Sequence, residues 1–233
     1  MCGYIKQDTD GRMRPQFFRE EIGGVPFLAL RCGMPYNRWQ RRRLRRALHK
    51  MTTQGVRQAV VPPDLIPYFQ QAGIQPIEEA PLRVALMEQI IDRYCEQCGL
   101  DIHCSTVRLY GQGINHTVRQ AAVLLVKKAR YVELQLDKGQ RELSEWLRWE
   151  YGLCAGNGGR GAILQICCHD DCESIIPTIW LGRNCEKRQR ITYRLDRPWS
   201  EQIKAEPQLL SVLFAEGKLP TEVIHIKSVE TYA

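Results

Sequence analysis

The densest group of charged side chains in the sequence is a basic run at residues 38–50, which contains no acidic residue. Its cationic residues are Arg38, Arg41, Arg42, Arg43, Arg45, Arg46 and Lys50, which together equal the net charge of +7 of the whole chain. Such a density of cations can neutralise the phosphates of nucleic acid or the headgroups of anionic lipid. We therefore expect an anion-binding surface, formed by Arg38, Arg41, Arg42, Arg45 and Arg46.

Two interpretations of the basic run stay open. In the first, it binds nucleic acid, an anionic surface or a protein partner, and Trp39 can stack on a base. In the second, it is the solvated face of a helix. In that case its charges could also pair with acids elsewhere in the chain, such as Glu20, Glu21, Glu78 and Glu79.

The tripeptide Gly111-Gln112-Gly113 lies between strand-forming residues 106–110 and a helical pattern at 115–129. Glycines at such a turn let the backbone approach a phosphate group, and the first amides of the following helix face that group. The spacing therefore predicts a site for a phosphorylated ligand at this turn.

Residues 105–150 resemble the dinucleotide-binding unit of Rossmann proteins at the level of the superfamily. In the fingerprint G-x-G-x-x-G/A, Gly111 and Gly113 match, whereas His116 replaces the third small residue. The imidazole is expected to hinder close helix–strand packing or to occupy the phosphate space. Asp137 lies 24 residues after Gly113, where the family's ribose-binding acid usually stands. The resemblance implies NAD(P) or another nucleotide as ligand, bound by Gly111, Gln112, Gly113 and Asp137.

Two further clusters contain metal-ligand and acid–base residue types. The first follows a predicted buried strand and could join the polar rim beside His116; it consists of Cys167, Cys168, His169, Asp170, Asp171 and Cys172. The second consists of Cys95, Cys98, His103 and Cys104. Imidazole, thiolate and carboxylate can bind zinc or transfer protons. We favour the simpler interpretations, a polar loop for the first cluster and ordinary thiols at a helix end for the second, and we predict no metal site.

Hydrophobic periodicity predicts the elements that must position these residues. It predicts a hairpin at 14–32 and strands at 56–61, 106–110, 131–136, 162–168, 175–181, 190–195 and 222–227. It predicts helices at 37–52, 63–71, 81–98, 115–129, 140–151 and 207–216. The alternation of strands and helices predicts an α/β fold with a mostly parallel, Rossmann-like three-layer sheet flanked by helices. An N-terminal β-hairpin precedes this sheet and a β-rich C-terminal portion follows it.

We expect two parts, a hairpin with the basic helix at 1–55 and a Rossmann-like α/β domain with its C-terminal extension at 56–233. No apolar run reaches the roughly 18 residues that span a bilayer, and the first residues contain no apolar signal segment. These features predict a cytoplasmic protein whose ten cysteines are reduced thiols.

Three hypotheses about function follow. The leading one is a Rossmann-like protein that binds a nucleotide or small phosphorylated ligand without catalysis. The second is an NAD(P)-dependent oxidoreductase. The third is a protein that binds nucleic acid or an anionic surface through residues 38–50.

Overall fold

A computed structural model describes residues 2–8, 14–152, 161–170, 172, 176–182 and 188–232. The strands are β1 (Cys2–Asp8), β2 (Gln16–Ile22), β3 (Val25–Gly33), β4 (Gln58–Val60), β5 (Gln75–Pro76), β6 (Thr106–Gly111), β7 (Tyr131–Leu136), β8 (Leu164–Cys167), β9 (Thr178–Trp180), β10 (Gln189–Leu195) and β11 (Ile224–Thr231). The helices are α1 (Arg38–Thr53), α2 (Ile66–Gln71), α3 (Ala80–Ala85), α4 (Met87–Cys98), α5 (His116–Lys128), α6 (Gln140–Tyr151), α7 (Trp199–Gln202) and α8 (Pro207–Ala215).

The chain divides into two units. The first comprises Met1–Glu79 and Leu195–Val223, and the second comprises Ala80–Arg194 and Ile224–Ala233. The boundary that we placed after residue 55 stays a prediction.

The first unit contains a five-stranded sheet with the order β2-β3-β1-β4-β5. The pair β2–β3 is antiparallel, and the other neighbours are parallel. The predicted hairpin is therefore confirmed. Its turn is Gly23-Gly24, and both glycines have the positive φ angles that such a turn requires.

Strand β1 was not predicted, although it lies in the middle of this sheet. It pairs with β3 on one side and with β4 on the other. Strand β3 is consequently an inner strand, although it contains Pro26, which lacks an N–H and is usually confined to edge strands. Pro26 is tolerated because the pairing of β3 with β1 begins only at Phe27, so the missing N–H breaks no hydrogen bond with β1.

Helices α1 and α2 contribute to one apolar core with this sheet. Its buried members are Ile5, Leu28, Leu30, Cys32, Leu44, Ala47, Leu48, Met51, Val56, Ala59, Val61, Leu65, Phe69 and Ile74. Burial of these side chains fixes which face of α1 turns inward, and the remaining faces must meet solvent.

The second unit contains a four-stranded parallel sheet with the order β7-β6-β8-β9. The predicted strand–helix–strand unit is confirmed, because β6 and β7 are parallel neighbours joined through α5. Its register aligns Val107 with Val132 and Leu109 with Leu134 on one face. On the other face Arg108 Nη2 lies 3.2 Å from Glu133 Oε2.

The strands do not form the single main sheet that we expected. Strand β4 pairs with β1 in the first unit, whereas β6, β7 and β8 pair with one another in the second. Strands β10 and β11 form a further two-stranded sheet. The α/β class and the parallel sheet flanked by helices are confirmed. The helix predicted at 81–98 is divided at Leu86 into α3 and α4.

Candidate functional site

The basic helix α1 is stabilised by a cap at its N-terminus and by the burial of its apolar side chains. Asn37 Oδ1 accepts a hydrogen bond from Gln40 N at 2.9 Å, and Gln40 Oε1 accepts from Asn37 N at 3.2 Å. This reciprocal pair satisfies amides that the first turn would otherwise leave free. Gln40 Oε1 also accepts from Tyr36 N at 2.8 Å, which ties the preceding loop to the helix.

One side of α1 lines an open groove of about 1460 Å³ within the first unit. The residues of α1 that line the groove are Arg38, Trp39, Arg41, Arg42, Leu44, Arg45, Leu48 and His49. The four arginines are exposed, whereas Leu44 and Leu48 are buried. We call this surface the arginine groove. It unites four of the five arginines that we predicted to bind anions, and it excludes Arg46.

The facing wall of the arginine groove comes from the segment at α2. It consists of Asp64, Pro67, Tyr68, Gln71 and Ala72, and Met34 adds a contact from the loop before α1. Tyr68 is half-buried, and Asp64 is the one carboxylate among the described residues that line the groove. Trp39 is 72% exposed.

No carboxylate pairs with Arg38, Arg41, Arg42, Arg43, Arg45 or Arg46 in the described parts of the chain. Of the acids that we considered as partners, Glu20 binds Lys6 at 2.6 Å. The ammonium of Lys50 lies 5.2 Å from the ring centre of Phe17, so this cation is engaged locally. These six arginines are therefore exposed without carboxylate partners among the described residues, and the interpretation of α1 as a solvated helix face stays open.

This charge arrangement is unfavourable for an isolated helix. The first turn of α1 contains no acidic residue, although the positive end of the helix dipole favours acids there. Arg38 and Arg42, like Arg41 and Arg45, are like charges four residues apart, and each such pair costs a few tenths of a kcal/mol. A bound anion would relieve both effects.

The second candidate region is the carboxyl edge of the sheet around β6 and β8. From β6 the chain crosses to β7 on one side and then returns to β8 on the other, so β6 lies at a change of direction. Asp137 N donates to Gly111 O at 3.1 Å, and Lys138 N donates to Gln112 O at 3.1 Å. The Gly111 turn and Asp137 thus lie at the same edge, as expected from the Rossmann resemblance.

The two glycines of this turn differ in the space that a Cβ atom would find at each position. A Cβ on Gly111 would lie 3.0 Å from Val118 Cγ2 and 3.2 Å from Leu136 Cδ2, which is closer than ordinary contact. A Cβ on Gly113 would lie 3.7 Å from its nearest neighbour, the carbonyl oxygen of Lys138. Neither glycine has a positive φ. Gly111 therefore permits close packing of α5 on β6.

His116 is the first residue of α5 and is exposed. Our expectation that it hinders helix–strand packing is wrong, because α5 approaches β6 closely through Val118 and Gly111. Asn115 caps the helix by accepting a hydrogen bond from Val118 N at 2.9 Å. Gln112 and Asp137 are also exposed. Their binding of a nucleotide stays a prediction.

The loop after β8 reaches the same edge. Cys168 N donates to Tyr110 O at 2.9 Å, and Cys168 Cβ lies 3.9 Å from the position of a Cβ on Gly111. Burial raises the pKa of the Cys168 thiol to about 12, so it is protonated at neutral pH. The carboxylate of Asp170 packs against Gly182, and the backbone of His169 lies beside the same glycine. Asp171 lies outside the described residues.

Cys167 and Cys172 are joined by a disulfide, so our prediction of thiols differs from the structure at this pair. Gln165 Nε2 donates to Cys172 Sγ at 2.7 Å. Arg188 donates from Nη1 to Cys172 O at 2.6 Å, and its guanidinium lies 4.3 Å from the ring centre of Trp180. These contacts belong to a small structural cluster.

The cysteines around the end of α4 are free in the structure. Burial raises the pKa of Cys95 to about 11, and a hydrogen bond with Asp101 raises the pKa of Cys104. Both effects oppose formation of the thiolates that zinc requires. Cys98 and His103 are exposed. Within the described residues, no group of three or more His, Cys, Asp or Glu side chains is placed to hold a metal ion.

No family model matches the chain, and no curated protein matches it. Among solved structures, the chain is similar to the crystal structure of phosphoglycerate oxidoreductase from Vibrio Cholerae o395, with 12% identity and a TM-score of 0.27. The match covers 59% of this chain and 50% of that chain, so this chain spans about half of that protein's length. In the described part of the chain, no helix has the length and apolar character needed to cross a membrane.

Sequence reasoning missed part of the arginine groove. Arg38, Arg42, Arg45 and His49 follow the spacing i, i+4, i+7 and i+11, which places them on one side of a helix. That period could have added His49 to the predicted anion-binding surface. It could also have shown that Arg43 and Arg46, which do not line the groove, lie on another side of the helix. The opposite wall with Asp64 and Tyr68 gives no signal in the sequence, because it depends on how α2 packs beside α1.

Proposed function

We propose that this protein binds nucleic acid through the arginine groove. The observation that carries the proposal is a set of four groove-lining arginines, Arg38, Arg41, Arg42 and Arg45, without carboxylate partners in the described residues. Along α1 these residues span roughly 10 Å at the usual rise per residue. At about 3.4 Å per nucleotide, this length spans three intervals and therefore about four successive phosphates of one strand.

Nucleic acid fits this surface better than a lipid bilayer does. A helix that binds a bilayer inserts its apolar face between the headgroups. The apolar face of α1 is Leu44, Ala47, Leu48 and Met51, and all four side chains are buried in the core of the first unit. The surface that remains is charged and concave, which suits a chain of phosphates more than a flat membrane.

The proposal predicts a steep dependence of affinity on salt. If four arginines contact phosphates of a single strand, log K should fall against log salt with a slope of about −3. Between about 50 and 200 mM salt the affinity should then fall about 50-fold. Fluorescence anisotropy of a labelled oligonucleotide, titrated with the whole chain at several salt concentrations, measures this slope.

A matched pair of variants distinguishes binding by the groove from binding by the overall charge of the helix. Arg42→Gln with Arg45→Gln removes two groove-lining cations, whereas Arg43→Gln with Arg46→Gln removes two exposed cations outside the groove. Both changes lower the net charge equally and retain good helix formers. The first variant should reduce the slope by about 1.4, and the second should change it little. Equal effects of the two variants, or no binding by the unchanged protein, would refute the proposal.

A second candidate function rests on the carboxyl edge of β6 and β8. In parallel sheets, ligands bind where the strand order changes direction, and β6 occupies such a position. The candidate ligand is NAD(P), another nucleotide or a small phosphorylated compound, held by Gly111, Gln112, Gly113 and Asp137. The neighbouring His116, His169 and Asp170 would form the rim of this site. An NAD(P)-dependent oxidoreductase stays an alternative within this candidate.

Thermal unfolding in the presence of NAD(P), FAD, nucleoside triphosphates and S-adenosylmethionine tests this second candidate. A bound ligand raises the unfolding temperature. Asp137→Asn should abolish that rise without changing the unfolding temperature of the free protein, because Asp137 is exposed. Absence of a shift with every compound would remove the candidate.

A further inference from the structure

We infer that the arginine groove selects single-stranded over double-stranded nucleic acid, with Trp39 as the residue on which an unpaired base stacks. This inference rests on the proposed function, since it specifies the ligand of the same groove. The groove combines the arginines of α1 with exposed aromatic rings, as a site for a single strand does. Its concave shape also favours a single strand.

The aromatic side chains stand at the start of α1. Trp39 lines the groove with 72% of its surface exposed, and Tyr36, three residues earlier, is 77% exposed. The hydrogen bond from Tyr36 N to Gln40 Oε1 holds the loop of Tyr36 against the first turn. Within the groove, Tyr68 supplies a further half-buried ring from the facing wall. Proteins that bind single strands combine such rings with a basic groove.

Stacking requires bases that are not already paired within a duplex. In a single strand, a base can leave its neighbours and lie on an aromatic ring while its phosphates follow the basic wall. In a duplex, the faces of the bases are covered by their neighbours, and the protein meets mainly phosphates and groove edges. Trp39 therefore contributes to the binding of a single strand and little to the binding of a duplex.

The shape of the surface also disfavours a duplex. A helix that enters the major groove must project from its protein so that the DNA surrounds it. Helix α1 does not project on its arginine side, because Pro67, Tyr68 and Gln71 form the opposite wall of the same groove. The concave surface therefore suits one strand better than a duplex.

Asp64 sets a limit on where phosphates can lie. Its carboxylate stands on the wall opposite the arginines. Phosphates are repelled from that side and attracted to Arg38, Arg42 and Arg45, so the backbone of a bound strand should follow α1. The bases are then available to stack on Trp39 and Tyr68.

The test compares three labelled probes by fluorescence anisotropy with the whole chain. They are an oligo(dT), a blunt duplex containing the same number of phosphates, and an abasic oligonucleotide with the same number of phosphates. We expect the oligo(dT) to bind at least about fivefold more tightly than the abasic chain, the lower end of what one stacked base contributes. We also expect it to bind more tightly than the duplex.

Trp39→Ala and Trp149→Ala form the matched pair of variants. Trp149 is 86% exposed and lies in the second unit, outside the groove. Trp39→Ala should weaken oligo(dT) binding by about 5- to 150-fold and leave abasic binding and the salt slope unchanged. Trp149→Ala should change neither. Both side chains are exposed, so circular dichroism should show that both variants retain the fold.

The outcomes distinguish the inference from the proposed function. Equal, salt-dependent binding of oligo(dT), duplex and abasic chain, unaffected by Trp39→Ala, would overturn single-strand selection and leave nucleic-acid binding intact. No binding of any probe would overturn both. Binding of phosphatidylserine vesicles in place of all three probes would also overturn both and assign the groove to a membrane surface.

Discussion

Substitution of Gly111 by alanine tests how the turn after β6 is built. The added Cβ would lie 3.0 Å from Val118 Cγ2 and 3.2 Å from Leu136 Cδ2, whereas carbon atoms in contact normally stay about 3.5–4.0 Å apart. Val118 is fully buried and its β-branched side chain has little rotamer freedom. The neighbours must therefore move by a few tenths of an ångström, and we expect a loss of about 1–3 kcal/mol in unfolding free energy.

Gly113→Ala is the matched control, two residues away in the same turn. Its Cβ would meet only Lys138 atoms at 3.7 and 3.9 Å, which are ordinary contacts, and its φ is not positive. The reduced entropy of the unfolded chain should leave this variant as stable as the parent or up to about 1 kcal/mol more stable. Urea unfolding followed by far-ultraviolet circular dichroism compares the two variants.

A further substitution identifies the contact responsible. Val118→Ala removes the Cγ2 atom that Gly111→Ala approaches, so Gly111→Ala should cost less in the Val118→Ala background than in the parent. The reasoning would be refuted if Gly113→Ala were as destabilising as Gly111→Ala, or if the cost of Gly111→Ala were unchanged by removal of Val118 Cγ2. The first result would mean that the backbone at Gly113 carries a constraint beyond steric contact.

Two other predictions concern the first unit. Asp64→Asn should strengthen oligonucleotide binding about two- to fivefold at low salt, because it removes from the groove a carboxylate that repels phosphate. Glu21 is an exposed acid outside the groove, so Glu21→Gln should have no such effect in the same anisotropy assay. Burial raises the pKa of the Cys32 thiol from 9.0 to about 11, so between these pH values the folded protein holds a proton that the unfolded chain releases. The unfolding free energy of the parent should therefore fall relative to that of Cys32→Ala as pH rises from 9 to 11, by at most about 3 kcal/mol; parallel profiles in urea unfolding would contradict this.

Local pattern was enough to predict the strand–helix–strand unit of the second part of the chain. Strands β6 and β7 and helix α5 follow one another closely, and their periodicities of two and 3.6 residues are regular. The same holds for α1, which was predicted at 37–52 and spans Arg38–Thr53, with Asn37 as its cap and Leu44, Ala47, Leu48 and Met51 as its buried stripe. These features depend on neighbours within a few residues.

The division of strands between sheets could not be predicted in this way. Strand β1 has a mixed composition and becomes a central strand only because β3 and β4 lie on either side of it. Its partners in β4 lie more than fifty residues away in the sequence. Pairing over such distances depends on which apolar faces are buried together, and it cannot be predicted from short-range periodicity.

The sequence by itself determined that one helix carries a concentrated positive charge and that a glycine turn joins β6 to α5. Tertiary structure decided which arginines share a groove, because the packing of α2 beside α1 placed Asp64 and Tyr68 opposite Arg38, Arg42 and Arg45 and left Arg43 and Arg46 outside. It also decided that Gly111 serves close packing against Val118. Both outcomes follow from the burial of apolar faces of segments that are distant in the sequence. The arrangement of these segments is therefore set only when the chain folds.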